Sequence, residues 1–222
     1  MNKKGKFIVF EGGEGSGKTS AQEYLKKELS GHKIVFTREP GGTPTAEQIR
    51  DLVISRKVQS GDPLDERAEM GLFCSARIQH IERLIQPTLA QGIHVICDRF
   101  SASTYAYQVF ASGRKDLEGI FYFLDKIFRG AKVQQGKLVD GLEPDLYILM
   151  DIDPVIGLGR SMRRGDTNKF EDKLSDFHER VRDGLFAYLS SKPHCVIDAS
   201  RDHKKVLEEV YRVVCTTLFS EE

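Results

Sequence analysis

The clearest chemistry in this chain begins at Gly12. Gly12-Gly13-Glu14-Gly15-Ser16-Gly17-Lys18-Thr19 matches G-x-x-x-x-G-K-[ST] throughout, with Ser20 next in line. Glycines let the backbone wrap tightly and turn several N–H groups toward one point, a nest for phosphate oxygens. The lysine adds a positive charge that reaches β- and γ-phosphates, and the threonine hydroxyl is a ligand for Mg²⁺. The pattern therefore predicts nucleoside triphosphate binding. Glu14 is the odd member, because a carboxylate within an anion loop repels phosphate unless it faces something else. Its charge predicts that it turns toward a second substrate's hydroxyl or a metal-bound water; a solvated loop residue is the alternative.

Two further clusters carry chemistry. Thr37-Arg38-Glu39-Pro40-Gly41-Gly42-Thr43 combines two glycines and a proline with charge, which predicts a rigid, shaped loop. Asp98-Arg99 ends an apolar run. There the aspartate is placed to face a metal and the arginine to reach phosphates. Ser101 to Gln108 then offers hydroxyls, phenols and an amide on a predicted helix start.

These groups need a scaffold. Lys6–Glu11, Lys33–Thr37, Ile93–Asp98, Asp145–Asp151 and His194–Asp198 read as five short strands rich in β-branched and aromatic residues. Helical patterns cover Ser16–Leu29, Thr45–Ile54, Leu64–Ala90 (one long helix or a bent pair), Ser103–Phe110, Leu117–Phe128, Pro154–Met162, Lys173–Leu189 and Lys204–Leu218. Strands alternating with helices predict an α/β fold with a parallel sheet covered on both faces. Ligands of such sheets bind beyond the carboxyl ends of the strands, where all three clusters fall. No boundary divides residues 1–222, so one domain is expected. Arg163–Lys169 reads as a mobile loop, and Gly130–Gly141 as a loop or a short hairpin.

Composition narrows the function classes. Lys plus Arg is 33 and Asp plus Glu is 33, giving no net charge, which speaks against a bulk electrostatic binder of nucleic acid. No apolar run approaches a membrane span or a secretory leader, so a cytoplasmic location is expected. The four cysteines are scattered and the six histidines lack metal-ligand spacing, so reduced thiols and structural histidines are expected.

Taken together, Phe10 to Thr19, Thr37 to Thr43, Asp98-Arg99-Phe100 with Ser103-Thr104 and Ala106-Tyr107-Gln108, Pro144 to Asp151 and Ile197-Asp198-Ala199 resemble bacterial thymidylate kinase over nearly the whole chain. The resemblance implies a three-layer P-loop kinase fold: a five-stranded parallel sheet flanked by helices, with a mobile lid at about residues 159–171. It implies transfer of the ATP γ-phosphoryl group to dTMP with Mg²⁺, by a homodimer for which Leu64–Ala90 could supply the interface.

By motif position, the resemblance implies that Phe73 stacks on thymine and that Arg77 meets its carbonyl edge. Ser103, Thr104 and Gln108 become base-side contacts, with Glu39, Pro40 and Arg50 on the nucleotide. Tyr107 crowds the sugar 2′ position and Glu14 lies near its 3′-hydroxyl. Arg99 bridges donor and acceptor phosphates, while Thr19 and Asp98 face the metal. Gly15 stands where some members carry an arginine, which shifts the catalytic arginines to Arg160 and Arg164, ahead of Arg163. Read without the resemblance, Phe73 is a core residue and the three arginines a solvated helix end. Asp116-Leu117-Glu118-Gly119 and Asn168-Lys169-Phe170-Glu171 imitate GTPase motifs, but the first follows no strand and the second ends in Glu. A kinase of another monophosphate, or a nucleotide binder without catalysis, would carry the same phosphate loop. Intact Lys18, Thr19, Asp98 and Arg99 speak against the second of these.

Overall fold

The computed structural model describes residues 4–54, 62–134, 137–139, 141–164 and 175–219. In chain order these form β1 (Phe7–Glu11), α1 (Lys18–Glu28), β2 (Ile34–Arg38), α2 (Pro44–Ile54), α3 (Glu66–His80), α4 (Gln86–Ala90), β3 (His94–Asp98), α5 (Ser101–Thr104), α6 (Glu118–Phe128), β4 (Lys132–Gln134), β5 (Lys137–Val139), β6 (Leu146–Asp151), α7 (Pro154–Arg164), α8 (Ser175–Leu189), β7 (His194–Asp198) and α9 (His203–Phe219).

The main sheet has the order β2-β3-β1-β6-β7 and every pairing in it is parallel. β1 lies at its centre, and all five of its residues are buried. Side chains alternate along a strand. Phe7 and Val9 therefore enter one core, with Ile81, Phe100, Tyr147 and Leu185, while Ile8 and Phe10 enter the other, with Leu25, Ile148, Ile197 and Val210. Helices thus cover both faces, and the sheet is a wall between two cores. Register puts Phe10 opposite Asp98, and Asp98 opposite Arg38. The carboxyl ends of β1, β2 and β3 end together, and the three chemical clusters leave from that one edge.

Where expectation and structure differ, local causes are visible. The expected 64–90 helix runs from α3 to α4 through one π-helical turn, Ile81–Ile85. Pro87 lies just beyond that turn. A proline within a helix clashes with the carbonyl four residues back, and a wider turn makes room for its ring. The helix expected from Ser103 begins at Ser101 and turns π-helical at Tyr105–Phe110. Its early start has a partner from another element: the Glu11 carboxylate accepts the Phe100 and Ser103 N–H groups, which a helix start leaves unpaired. The 130–141 stretch contains the antiparallel β4–β5 pair, the hairpin of its two readings.

Asp116 stands on a short 3₁₀ turn, paired with Arg114. Asn168–Glu171 lies outside the described residues, as does the expected lid beyond Arg164. Cys74, Cys97, Cys195 and Cys215 are free thiols. No helix of the described residues is long and apolar enough to cross a membrane.

Candidate active site

The loop after β1 wraps through Gly12, Gly15 and Gly17, all at positive φ (149°, 65° and 90°). Gly15 also has no room for a side chain: a Cβ there would sit 1.9 Å from the Gly157 carbonyl oxygen. Reciprocally, a Cβ on Gly157 would lie 2.3 Å from the Glu14 carbonyl oxygen. The loop therefore rests backbone to backbone on the first turns of α7. Lys18 Nζ donates to the Gly12 and Gly13 carbonyls (2.9 and 3.0 Å) and to Ser16 Oγ (3.2 Å). Burial pushes the ammonium down, helped by Arg99 and opposed by Asp98 and Glu14, to about 8.

Arg99 is the node of the site. Its backbone takes φ 69°, uncommon for a residue with a side chain. One guanidinium nitrogen donates to the Gly12 carbonyl and to Ser103 Oγ (3.0 Å each), the other to Glu14 Oε1 (2.9 Å). The guanidinium stands over the Tyr107 ring, 5.3 Å from its centroid, and the Tyr107 hydroxyl donates to the same Glu14 oxygen (3.0 Å). Burial works to raise Glu14, but Arg99 and Lys18 outweigh it and hold the carboxyl below its ordinary range. The Glu14 carboxylate, read from sequence as facing a second substrate's hydroxyl, a metal-bound water or solvent, is held by Arg99 and Tyr107 within the cavity.

Beneath this node lies Glu11, fully buried at the end of β1. It accepts from the Ser103 hydroxyl, whose lone pairs are thereby left for Arg99. Burial raises Glu11 to about 7 despite these bonds and the charge of Arg99.

The opposite wall comes from α3. Phe73 and Arg77 are four residues apart and so share a helix face. Arg77, 2% exposed, donates from Nε to Glu39 Oε2 (2.9 Å) and from Nη2 to Thr104 Oγ1 (2.7 Å), over the Phe100 ring. His80 bridges Glu39 Oε1 (3.1 Å) to Thr37 Oγ1 (2.8 Å). Gln108 donates from Nε2 to Glu69 Oε1 (3.0 Å). Arg50 donates to the Pro40 carbonyl (2.8 Å).

A cavity of about 840 Å³ collects nearly all of these groups. Residues 14–20, Glu39, Pro40, Arg50, Phe73, Arg77, Asp98, Arg99, Ser103, Thr104, Tyr107 and Gln108 line it. Gly12 meets the site through its carbonyl, and Gly13 lines a small crevice behind the loop. The α7 arginines are placed differently. Arg160 donates to the Ala199 carbonyl (2.9 Å), and Arg163 to the Gly159 carbonyl (3.0 Å). Ser161 is the α7 residue in the cavity lining. Arg164 ends α7, and its side chain lies outside what is described.

Sequence reading missed Arg38, which also lines the cavity and pairs with Glu47, and it assigned nothing to Glu11, Glu69 or His80. Glu11 ends a predicted strand and Arg38 directly follows one at the site edge, a signal that was available. Glu69 precedes Phe73 by four residues, as Phe73 precedes Arg77, which marks the same helix face.

Asp98 Oδ1 is buried and has no hydrogen-bond partner among the described residues. These residues contain no group of three His, Cys, Asp or Glu side chains suited to a metal. One orphaned carboxylate oxygen beside a phosphate loop fits Mg²⁺, which takes one or two protein ligands and completes its shell with phosphate and water.

Comparison with known proteins converges with this geometry. The thymidylate kinase family model matches residues 10–210. Thymidylate kinase from Ruegeria pomeroyi is 40% identical over 98% of both chains. That from Magnetococcus marinus is 38% identical over 95% of this chain and 96% of its own. A crystal structure of thymidylate kinase from Ehrlichia chaffeensis superposes with a TM-score of 0.68 at 30% identity, covering 95% of this chain and 98% of that one. The chain belongs to the thymidylate kinase family.

Proposed function

We propose that this chain moves the ATP γ-phosphoryl group onto dTMP, giving dTDP and ADP for dTTP synthesis, in the cavity at the carboxyl edge of β1, β2 and β3. The observation that carries the reading is convergence. The phosphate loop, Asp98, Arg99 and Arg50 line the same cavity as Phe73, Arg77, Thr104 and Gln108. One set fits phosphates and the other a flat base with polar edges.

Phosphoryl transfer asks a protein for position and charge more than for covalent chemistry. Residues 12–20 hold the ATP phosphates through backbone N–H groups and Lys18. Arg99 bridges donor and acceptor phosphates, and Arg50 with Pro40 and Glu39 frames the acceptor. Glu14 and Tyr107 sit at the sugar. Phe73 stacks on thymine, while Arg77, Ser103, Thr104 and Gln108 hold its edge. Stacking contributes about 1–3 kcal/mol but discriminates little, so identity rests on the polar edge. Thr19 and Asp98 hold Mg²⁺, which neutralises phosphate charge. Arg160 and Arg164 complete the charge around the transferring group from a lid at about 159–171; Arg160 must first leave the Ala199 carbonyl.

The chain acts as one domain in a cytoplasmic homodimer, without nucleic acid or membrane. Exposed apolar side chains on α6 support the dimer. A coupled ADP-release assay across a panel of nucleoside monophosphates tests the activity: dTMP-dependent turnover is expected, and preference for a purine monophosphate refutes it. Arg99→Ala should lower kcat about 10²- to 10³-fold, the cost of losing a preorganised charge at the reacting group, while the fold is retained at a lower melting temperature, since Glu14 loses its partner.

A further inference from the structure

Glu69, Phe73 and Arg77 stand four residues apart on one face of α3, and the last two line the cavity. Glu69, half-buried in the first turn, reaches across to the π-helical segment and accepts from Gln108 Nε2 at 3.0 Å. Gln108 is itself 4% exposed and lines the cavity. A carboxylate offers only lone pairs, whereas an amide has a donor end and an acceptor end that are nearly the same in shape. Glu69 can be satisfied by only one of the two amide orientations, the one with the NH₂ group toward it. The carbonyl oxygen of Gln108 is then the end left for a ligand.

We propose that Glu69 is a specificity-positioning residue: it locks the Gln108 amide so that the site presents an acceptor to the base. This rests on the reading of Gln108 as a base-side contact. A thymine edge shows an N3–H donor beside the O4 acceptor. A locked Gln108 carbonyl matches the N3–H, and Arg77 matches O4. Cytosine reverses both features, with an acceptor at N3 and an amino group at C4, so it meets lone pair against lone pair and donor against donor. Uracil shows the same edge as thymine, and this device does not separate the two.

The test is equilibrium binding of dTMP and dCMP, by calorimetry on the full chain without ATP. Glu69→Gln keeps the shape and a hydrogen bond but can accept or donate, so both orientations of Gln108 become available. The dTMP-to-dCMP affinity ratio should fall about tenfold, the scale of one mismatched hydrogen bond, with the melting temperature unchanged. Gln108→Ala should lower the ratio as well. A ratio that falls in Gln108→Ala but holds in Glu69→Gln overturns the locking role and leaves the base-side role of Gln108 standing. A ratio that holds in both removes Gln108 from the base, and the proposal falls with it.

Discussion

Glu11 shows what a single buried group does for the site. Its carboxylate gathers the Phe100 N–H, the Ser103 N–H and the Ser103 hydroxyl. By capping α5 it orients the serine that receives Arg99. Burial raises its pKa from an ordinary 4.5 to about 7. Between those values the native state keeps a proton that the unfolded chain has lost. Stability therefore falls as pH rises through this window and levels above it, by something on the order of 3 kcal/mol at about 1.36 kcal/mol per unit. Glu11→Gln removes the titration. Denaturation curves from pH 4 to 8 should show the wild type losing ground to the variant as pH rises; parallel curves would mean that Glu11 is not held protonated. The sequence marked Asp98 and Arg99 because a strand of apolar residues ending in two charges is conspicuous. Glu11 ends a strand in the same way, but there the adjoining glycine motif carries the stronger signal. That Glu14 would be claimed by Arg99 and Tyr107 was invisible, since the three are 85 and 93 residues apart in the bonds that join them.

At the scale of elements, the phosphate loop and α7 are one mechanical unit. Gly15 and Gly157 approach so closely that neither tolerates a Cβ, and the atoms opposing it are backbone carbonyls, which cannot swing aside as a side chain end can. Gly157→Ala should therefore push the loop off α7. The expected outcome is a stability loss of about 1–3 kcal/mol, the usual cost of overpacking, together with a raised KM for ATP. Thermal melts and ATP titrations check both halves. An unchanged ATP KM would show that the loop holds its shape without α7. The strands and most helices were legible because their hydrophobic periods differ so clearly. The π turns were not. Pro87 hints at the first, but nothing in Tyr105–Phe110 announces a wider winding; that segment packs closely against α8, a tertiary contact local sequence does not encode. The glycine contact was equally hidden, since Gly157 reads as a weak spot in a helix until its neighbour is known.

For the whole molecule, 33 positive and 33 negative residues cancel, while the cavity lining sets Lys18, Arg38, Arg50, Arg77 and Arg99 against Glu14, Glu23, Glu39 and Asp98, a small positive excess. Neutrality overall and positive charge in one place suit a small anionic ligand, and leave the outer surface without a strong field to keep copies apart. One part of that surface is apolar. On α6, Phe121 and Asp125 face inward and are buried, with Tyr122 stacked on Tyr188 beside them, yet Ile120 (47% exposed), Phe123 (61%) and Ile127 (37%) form a second stripe on the outward side. A helix apolar on both faces ordinarily has something against each. A second copy of the chain meets the requirement by twofold symmetry, since the same stripe can cover itself. The sequence also offers the 64–90 stretch as one that could lie at an interface. Of its apolar side chains, Met70, Ile81, Ile85 and Leu89 are buried in the core beneath the sheet and Phe73 lines the cavity, while Leu72, Ile78 and Leu84 are partly buried. Phe123→Asp places a charge at the most exposed point of the α6 stripe, where a dimer would have to bury it unpaired. In sedimentation equilibrium the wild type should run at twice the mass of one chain and the variant at the mass of one. The variant's melting temperature should then also become independent of protein concentration, as mass action requires once association is lost. A wild type that stays monomeric at every concentration, or a variant that still dimerises, would remove α6 from the interface.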